Sequence, residues 1–172
     1  MERLVRKGGT VAFWGYKDPV LVDYPNASEI LQRNLYGDDP DTLGPYWSMP
    51  GRRYVAEQLR VIQPPAATFE NVERIEYEPA TKGSRSGEGT IFMERKASIG
   101  QTKAYYRTAS SFHGWQEAHP DQISRARGGN GDLVDRWFDE MAEHDKEGEV
   151  FKDEENEVLM EWGSALVMCR KK

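Results

Sequence analysis

Gly8-Gly9-Thr10-Val11-Ala12-Phe13-Trp14-Gly15-Tyr16 is the stretch on which the fold turns. A short apolar run, Val11 to Trp14, is bracketed by glycines, and such a run reads as a buried strand. Its apolar residues are continuous rather than alternating. That pattern predicts a parallel strand covered on both faces. A second apolar stretch closes the chain: Glu157-Val158-Leu159-Met160-Glu161-Trp162, then Gly163-Ser164, then Ala165-Leu166-Val167-Met168-Cys169. It is either a tight hairpin or one strand with a glycine bulge. Strands at both ends with helical patterns between them predict an α/β sheet domain.

Outward from Tyr16, Asp18-Pro19 and Tyr24-Pro25 mark loop. Asn26 or Ser28 is placed to cap a helix carrying Ile30, Leu31 and Leu35, stopped by Gly37. Residues 38–50 form a turn-rich loop around Tyr46-Trp47. Gly51 opens a helix with Tyr54, Val55, Leu59 and Ile62 at helical spacing, and Pro64-Pro65 breaks the chain. Phe69 to Tyr77 reads as a strand, Thr81 to Gly89 as a mobile loop, and Ile91-Phe92-Met93 as a short strand. Helices follow over residues 99–109 and 110–118, ended by His119-Pro120. After the hinge-like Gly128-Gly129-Asn130-Gly131, Asp132 caps the clearest helix. Its stripe of Leu133, Val134, Trp137, Phe138, Met141 and Ala142 predicts a core face.

The chain of 172 residues is 38% hydrophobic and carries five Trp, eight Tyr and six Phe, enough for one domain with a core. That aromatic content argues against disorder throughout. No apolar run approaches the roughly 18 residues of a membrane span. Met1 to Lys7 lacks the apolar stretch of a secretory signal. The one cysteine, Cys169, excludes an internal disulfide and a cysteine-rich zinc site, which points to a reducing, cytoplasmic setting. With 23 basic against 29 acidic residues, net −6, a nucleic-acid partner is not expected. His113, His119 and His144 lack metal-ligand spacing.

Several segments together resemble the C-terminal part of a class I S-adenosylmethionine-dependent methyltransferase, nearest to the trans-aconitate methyltransferase-like family. They are Leu4 to Tyr16, Gly44-Pro45-Tyr46-Trp47, Pro50-Gly51-Arg52, Tyr106-Arg107-Thr108 with Ser110-Ser111, His113 and Trp115-Gln116, and the end from Val158 through Glu161-Trp162-Gly163 to Arg170. The resemblance implies that the Gly-Gly turn enters strand five of a seven-stranded sheet. The expected fold is then a partial Rossmann-like sheet from strand five onward, strands one to four absent. Residues 1–172 form one domain, with inserted substrate-cap helices in 24–68 and 97–130.

The resemblance implies S-adenosylmethionine as cofactor, yet the family's glycine-rich strand-to-helix turn is absent. Gly87-Glu88-Gly89 and Gly129-Asn130-Gly131 have the glycine rhythm, but neither follows an apolar strand. The implied activity is methyl transfer to a small-molecule acceptor, a carboxylate, with this chain carrying the acceptor-binding half. The alternative is a truncated or degenerate homologue serving as a non-catalytic binding or dimerising module. Trp14 and Tyr16, at the strand's carboxyl end, are either a pocket wall or core aromatics. A di- or tricarboxylate requires arginine forks, for which Arg52 and Arg107 are the candidates, with surface ion pairs as the alternative. Tyr46, Trp47, Tyr106, His113 and Trp115 complete the candidate acceptor site, His113 either orienting a substrate oxygen or packing. The edge that strand four would have covered is expected to recruit a second copy or a separate N-terminal half.

Overall fold

A computed structural model describes residues 4–144 and 146–172. Part of the N-terminal stretch read for a signal, residues 1–3, lies outside the described residues. Strand β1 spans Thr10–Leu21, β2 Phe69–Glu78, β3 Glu88–Gly89, β4 Glu94–Ser98 and β5 Glu157–Lys171. Helices α1 to α5 span Pro25–Tyr36, Gly51–Ala56, Ile99–Arg107, Ser110–Ala118 and Leu133–Ala142. The sheet order is β1-β5-β2-β3, and β4 pairs with β5 beyond the end of β2.

The last strand is the spine of the sheet. β5 runs through Gly163-Ser164 without turning, which excludes the hairpin, and the extra residue of the bulge opposite Gly163 belongs to β1. Gly163 is there for space: a Cβ on it would strike the Lys17 side chain, which crosses β5 at that point. Every strand pairing among the described residues is antiparallel. This corrects the expectation of a parallel β1 covered on both faces. Trp14 lies opposite Leu166 and Tyr16 opposite Ser164, and exposure alternates along Thr10 to Tyr16. Trp14 and Tyr16 are 51% and 43% exposed, with their rings 5.5 Å apart on one face. The apolar run misled because its outward side chains are large aromatics instead of polar groups. Among the described residues, β1 pairs only with β5, so its outer edge carries no strand.

Other differences have local causes. α1 starts at Pro25, ahead of both expected caps, and the Ser28 hydroxyl instead bonds the Leu21 backbone, accepting from N–H at 2.9 Å and donating to C=O at 3.0 Å. α2 ends at Ala56 because Gln58 and Leu59 are left-handed (φ 54° and 58°), so Leu59 and Ile62 are off the helix. Leu59 settles over Gly15, where no side chain obstructs it. The strand expected at Ile91 to Met93 begins at Glu94. The Thr81 to Gly89 loop is tied down: the buried Glu161 carboxylate accepts from the Tyr77 hydroxyl and from the Arg85 backbone N–H at 2.6 Å.

The helical expectations over α3, α4 and α5 hold within two residues. Ser98 with Gln101, and Asp132 with Asp135, close capping boxes at the starts of α3 and α5. The α5 stripe packs with α1, α3 and the β5 residues Val158, Met160 and Trp162 in one core. Cys169 is buried, and burial pushes its thiol up from the ordinary value. No described helix is long and apolar enough to cross a membrane, and the described residues hold no His, Cys, Asp and Glu cluster suited to a metal.

Candidate functional site

A cavity of about 190 Å³ lies where β1, the loop after α1, α2 and the end of α3 meet. The ladder between β1 and β5 slips between Tyr16 and Pro19, which takes Lys17 and Asp18 out of register and turns them toward this space. Trp47 arrives from the 38–50 loop, anchored by its indole N–H donating to the Leu35 carbonyl at 2.8 Å. Arg52 comes from α2, and Tyr105 and Tyr106 from the last turn of α3.

The Arg52 guanidinium is the site's distinctive group. It lies over the Trp47 ring at 4.0 Å and the Tyr36 ring at 5.1 Å. It forms an ion pair with Asp18 and donates to the Tyr36 hydroxyl at 2.6 Å, and that hydroxyl donates on to Asp18 at 2.6 Å. Its Nε is buried with no hydrogen-bond partner. Burial lowers Arg52 to about 10, which leaves it cationic at neutral pH, and burial raises the Tyr36 phenol to about 12. The Tyr106 hydroxyl is also buried without a partner, and burial pushes it far up. The Tyr105 hydroxyl accepts from the Trp162 indole at 2.9 Å, and burial raises it. Lys17 is paired with Glu78. The arrangement is an aromatic slot with an ion-paired guanidinium at its wall, suited to an acceptor with an apolar body and one anionic or hydrogen-bond-accepting group.

Of the nine sequence candidates, Tyr16, Trp47, Arg52 and Tyr106 line this cavity, and Trp14 stands beside Tyr16 on the strand face. The other four lie elsewhere. Arg107 donates to Asp132 at 2.7 and 2.9 Å and pairs with Asp135 at 2.9 Å, so its fork is consumed within the protein. Trp115 is fully buried between Phe112 and His119, stacked on the latter at 4.6 Å. Tyr46 packs edge-on against His119 and donates to the Pro40 carbonyl. His113 is exposed at the surface of α4 beside Phe112. Sequence reasoning missed Lys17, and placed Asp18 in a loop with Pro19. Two opposite charges interrupting an apolar strand were the available signal of a bulge.

A larger cavity of about 250 Å³ lies under Val11, Phe13, Pro64 and Phe69. Its one ionisable group is the Cys169 thiol, so it offers no reacting constellation.

Among the described residues, neither glycine-rich turn makes a seat for S-adenosylmethionine. A Cβ on Gly87 would meet Pro79 and the Tyr77 hydroxyl, and one on Gly89 the backbone of Glu76 and Tyr77, so both glycines serve the packing of that turn onto β2. Gly129 is pressed against the Ile123 backbone, and Gly131 lies beside the Arg125 guanidinium. The N-terminus of α5, which follows, is already capped by its own Asp132 and Asp135.

No protein-family model matches the chain. Among curated proteins, the whole chain aligns over 181 positions, at 26% identity, with the probable S-adenosylmethionine-dependent methyltransferase CRG1 of Saccharomyces cerevisiae. The chain spans about half the length of that relative, 56% of it. The likeness supports a relationship between this α/β chain and the S-adenosylmethionine-dependent methyltransferases.

Proposed function

We propose that this chain is the acceptor-binding part of a cytoplasmic S-adenosylmethionine-dependent methyltransferase of the trans-aconitate methyltransferase-like group. In this reading its sheet is the strand-five-onward portion of a Rossmann-like fold, and a donor-binding half belongs to another or a longer polypeptide. The segments 24–68 and 97–130 cap the acceptor, since both contribute walls to the cavity beside Arg52.

The observation that carries this reading is the Arg52 guanidinium, buried among Trp47, Tyr36 and Tyr105 with its Nε unpaired. A carboxylate is ionised at neutral pH and needs no general base to become a nucleophile. The residues' work is then to bind the acid group, orient its body against the aromatic walls and keep water away. Lys17 and Arg107 are committed to Glu78, Asp132 and Asp135, which leaves Arg52, held by Asp18 alone among the carboxylates lining this cavity, as the cation for one acid group and favours a monocarboxylate acceptor.

Calorimetry tests both parts. S-adenosylmethionine titrated into the chain is expected to give no saturable heat, whereas benzoate, the simplest aromatic monocarboxylate, is expected to saturate, and Arg52→Gln to abolish it. Saturable S-adenosylmethionine binding sinks the division of labour between two halves. Absence of benzoate binding sinks the carboxylate assignment.

The open edge of β1 favours a second reading, a binding or dimerising module. Thr10 to Tyr16 carries no charge, and charge is the usual guard of an edge strand. Sedimentation of the chain is expected to show association that rises with concentration and is suppressed by Ala12→Lys. A monodisperse monomer at all concentrations counts against it.

A further inference from the structure

Asp18 stands on the wall between two spaces. On one side is the cavity that holds Arg52, Trp47 and Tyr105; on the other is a cavity of about 310 Å³ lined by Val20, Gln32, Tyr36, Ala56 and Glu78, whose carboxylate is paired with Lys17. Lys17 borders both. The slipped register leaves Asp18 outside the regular ladder, so its side chain is free of the alternation that fixes its neighbours. Its carboxylate sits on Arg52, where an acceptor carboxylate has to sit. The two side chains are 15% and 13% exposed, so a second carboxylate cannot be added to the pair at the cost it would have in water.

From this placement we propose that Asp18 is the gate of the acceptor cavity: it occupies Arg52 until an acceptor carboxylate replaces it, and then swings past Tyr36 into the space behind. This rests on the carboxylate reading above. The gate makes Asp18 a specificity-determining residue. A ligand must bring a carboxylate good enough to displace an internal one, and a neutral ligand of the same shape leaves the pair intact. Tyr36 is the latch, since its hydroxyl bonds both Arg52 and Asp18 in the closed arrangement. Lys17, adjacent in sequence and facing both cavities, stays paired with Glu78, so the displaced carboxylate turns to the Gln32 side-chain amide, which lines the space behind. Asp18→Asn keeps an acceptor for Tyr36 but removes the competing charge.

The experiment compares benzoate with benzamide on the full chain, by calorimetry, in wild type, Asp18→Asn and Arg52→Gln. The expected result is that Asp18→Asn tightens benzoate by about tenfold, leaves benzamide within about twofold of wild type, and that Arg52→Gln loses benzoate. If wild type binds benzoate and Asp18→Asn binds it no more tightly, the gate is overturned and the carboxylate reading survives. If no form binds benzoate, both fall. A variant-free check is the structure of the wild-type chain with benzoate bound: Asp18 turned away from Arg52 supports the exchange, and an intact Asp18–Arg52 pair beside the ligand refutes it.

Discussion

Arg107→Ala is expected to lower the unfolding free energy by about 3–5 kcal/mol, the cost of removing one partner from a buried ion pair. Asp132 and Asp135 are both buried, their side chains 1% and 2% exposed, and Arg107 bonds both from the end of α3. Lys103, at 3.8 Å from Asp135, is too distant to replace the fork. The same two carboxylates cap α5, so the loss spreads to the best-packed helix of the core. Thermal unfolding is expected to shift down by about 10 °C for a chain of this size. A shift under about 2 °C contradicts the assignment, since it corresponds to no more than about 1 kcal/mol. The pH dependence gives a second readout. Burial works to raise Asp135, but the backbone N–H groups of Arg125 and Asp132, together with Arg107, hold it below its ordinary value. A depressed carboxylate contributes stability that is complete above its unfolded value, about 3.9, and is lost as pH falls through the lower folded value. The gap between wild type and Arg107→Ala is therefore expected to narrow in denaturant titrations below about pH 4.

That ion-pair lock also shows where a sequence stops being legible. The α5 stripe and the Asp132 cap could be read directly, because 3.6-residue periodicity and a capping side chain are local facts. Arg107 could not, because its nearer partner, Asp132, lies 25 residues away and only packing brings them together. Trp115 and His113 illustrate the same limit: two residues apart on one helix, one is fully buried and the other exposed. For β1, the apolar run gave the strand but not its place at the sheet's rim, since a half-exposed face of Trp14 and Tyr16 looks in sequence like a buried one. Gly163 could mark either a hairpin or a bulge, and only the pairing of β5 with β1 on both sides of it decides. Within the site, the aromatic residues and Arg52 were visible as types. The bulge that aims Lys17 and Asp18 was hidden, because it depends on the register against β5, a strand more than 140 positions later.

Arg52→Lys is expected to fail as a substitute, and this is the sharpest test of what the cavity recognises. A lysine keeps the charge but loses the planar fork, and with it the face that lies on Trp47 at 4.0 Å and Tyr36 at 5.1 Å. It also lacks the fork that takes both oxygens of an acceptor carboxylate once Asp18 has moved aside. A charge-assisted hydrogen bond is worth about 1.5–3 kcal/mol, so benzoate affinity is expected to fall by about 10- to 100-fold in Arg52→Lys. Calorimetry on the same preparations reads it, and retention within about threefold shows that a point charge suffices and the fork is not used. Stability separates recognition from simple damage. Arg52→Gln leaves Asp18 in a half-buried site with Tyr36 as its remaining donor, whereas the double variant Arg52→Gln, Asp18→Asn removes both charges together. If the pair is coupled as the geometry indicates, the double variant is expected to unfold at a higher temperature than Arg52→Gln alone while still binding no benzoate. Equal unfolding of the two would place Asp18 and Arg52 in separate environments, and the exchange of one carboxylate for another at Arg52 would lose its physical basis.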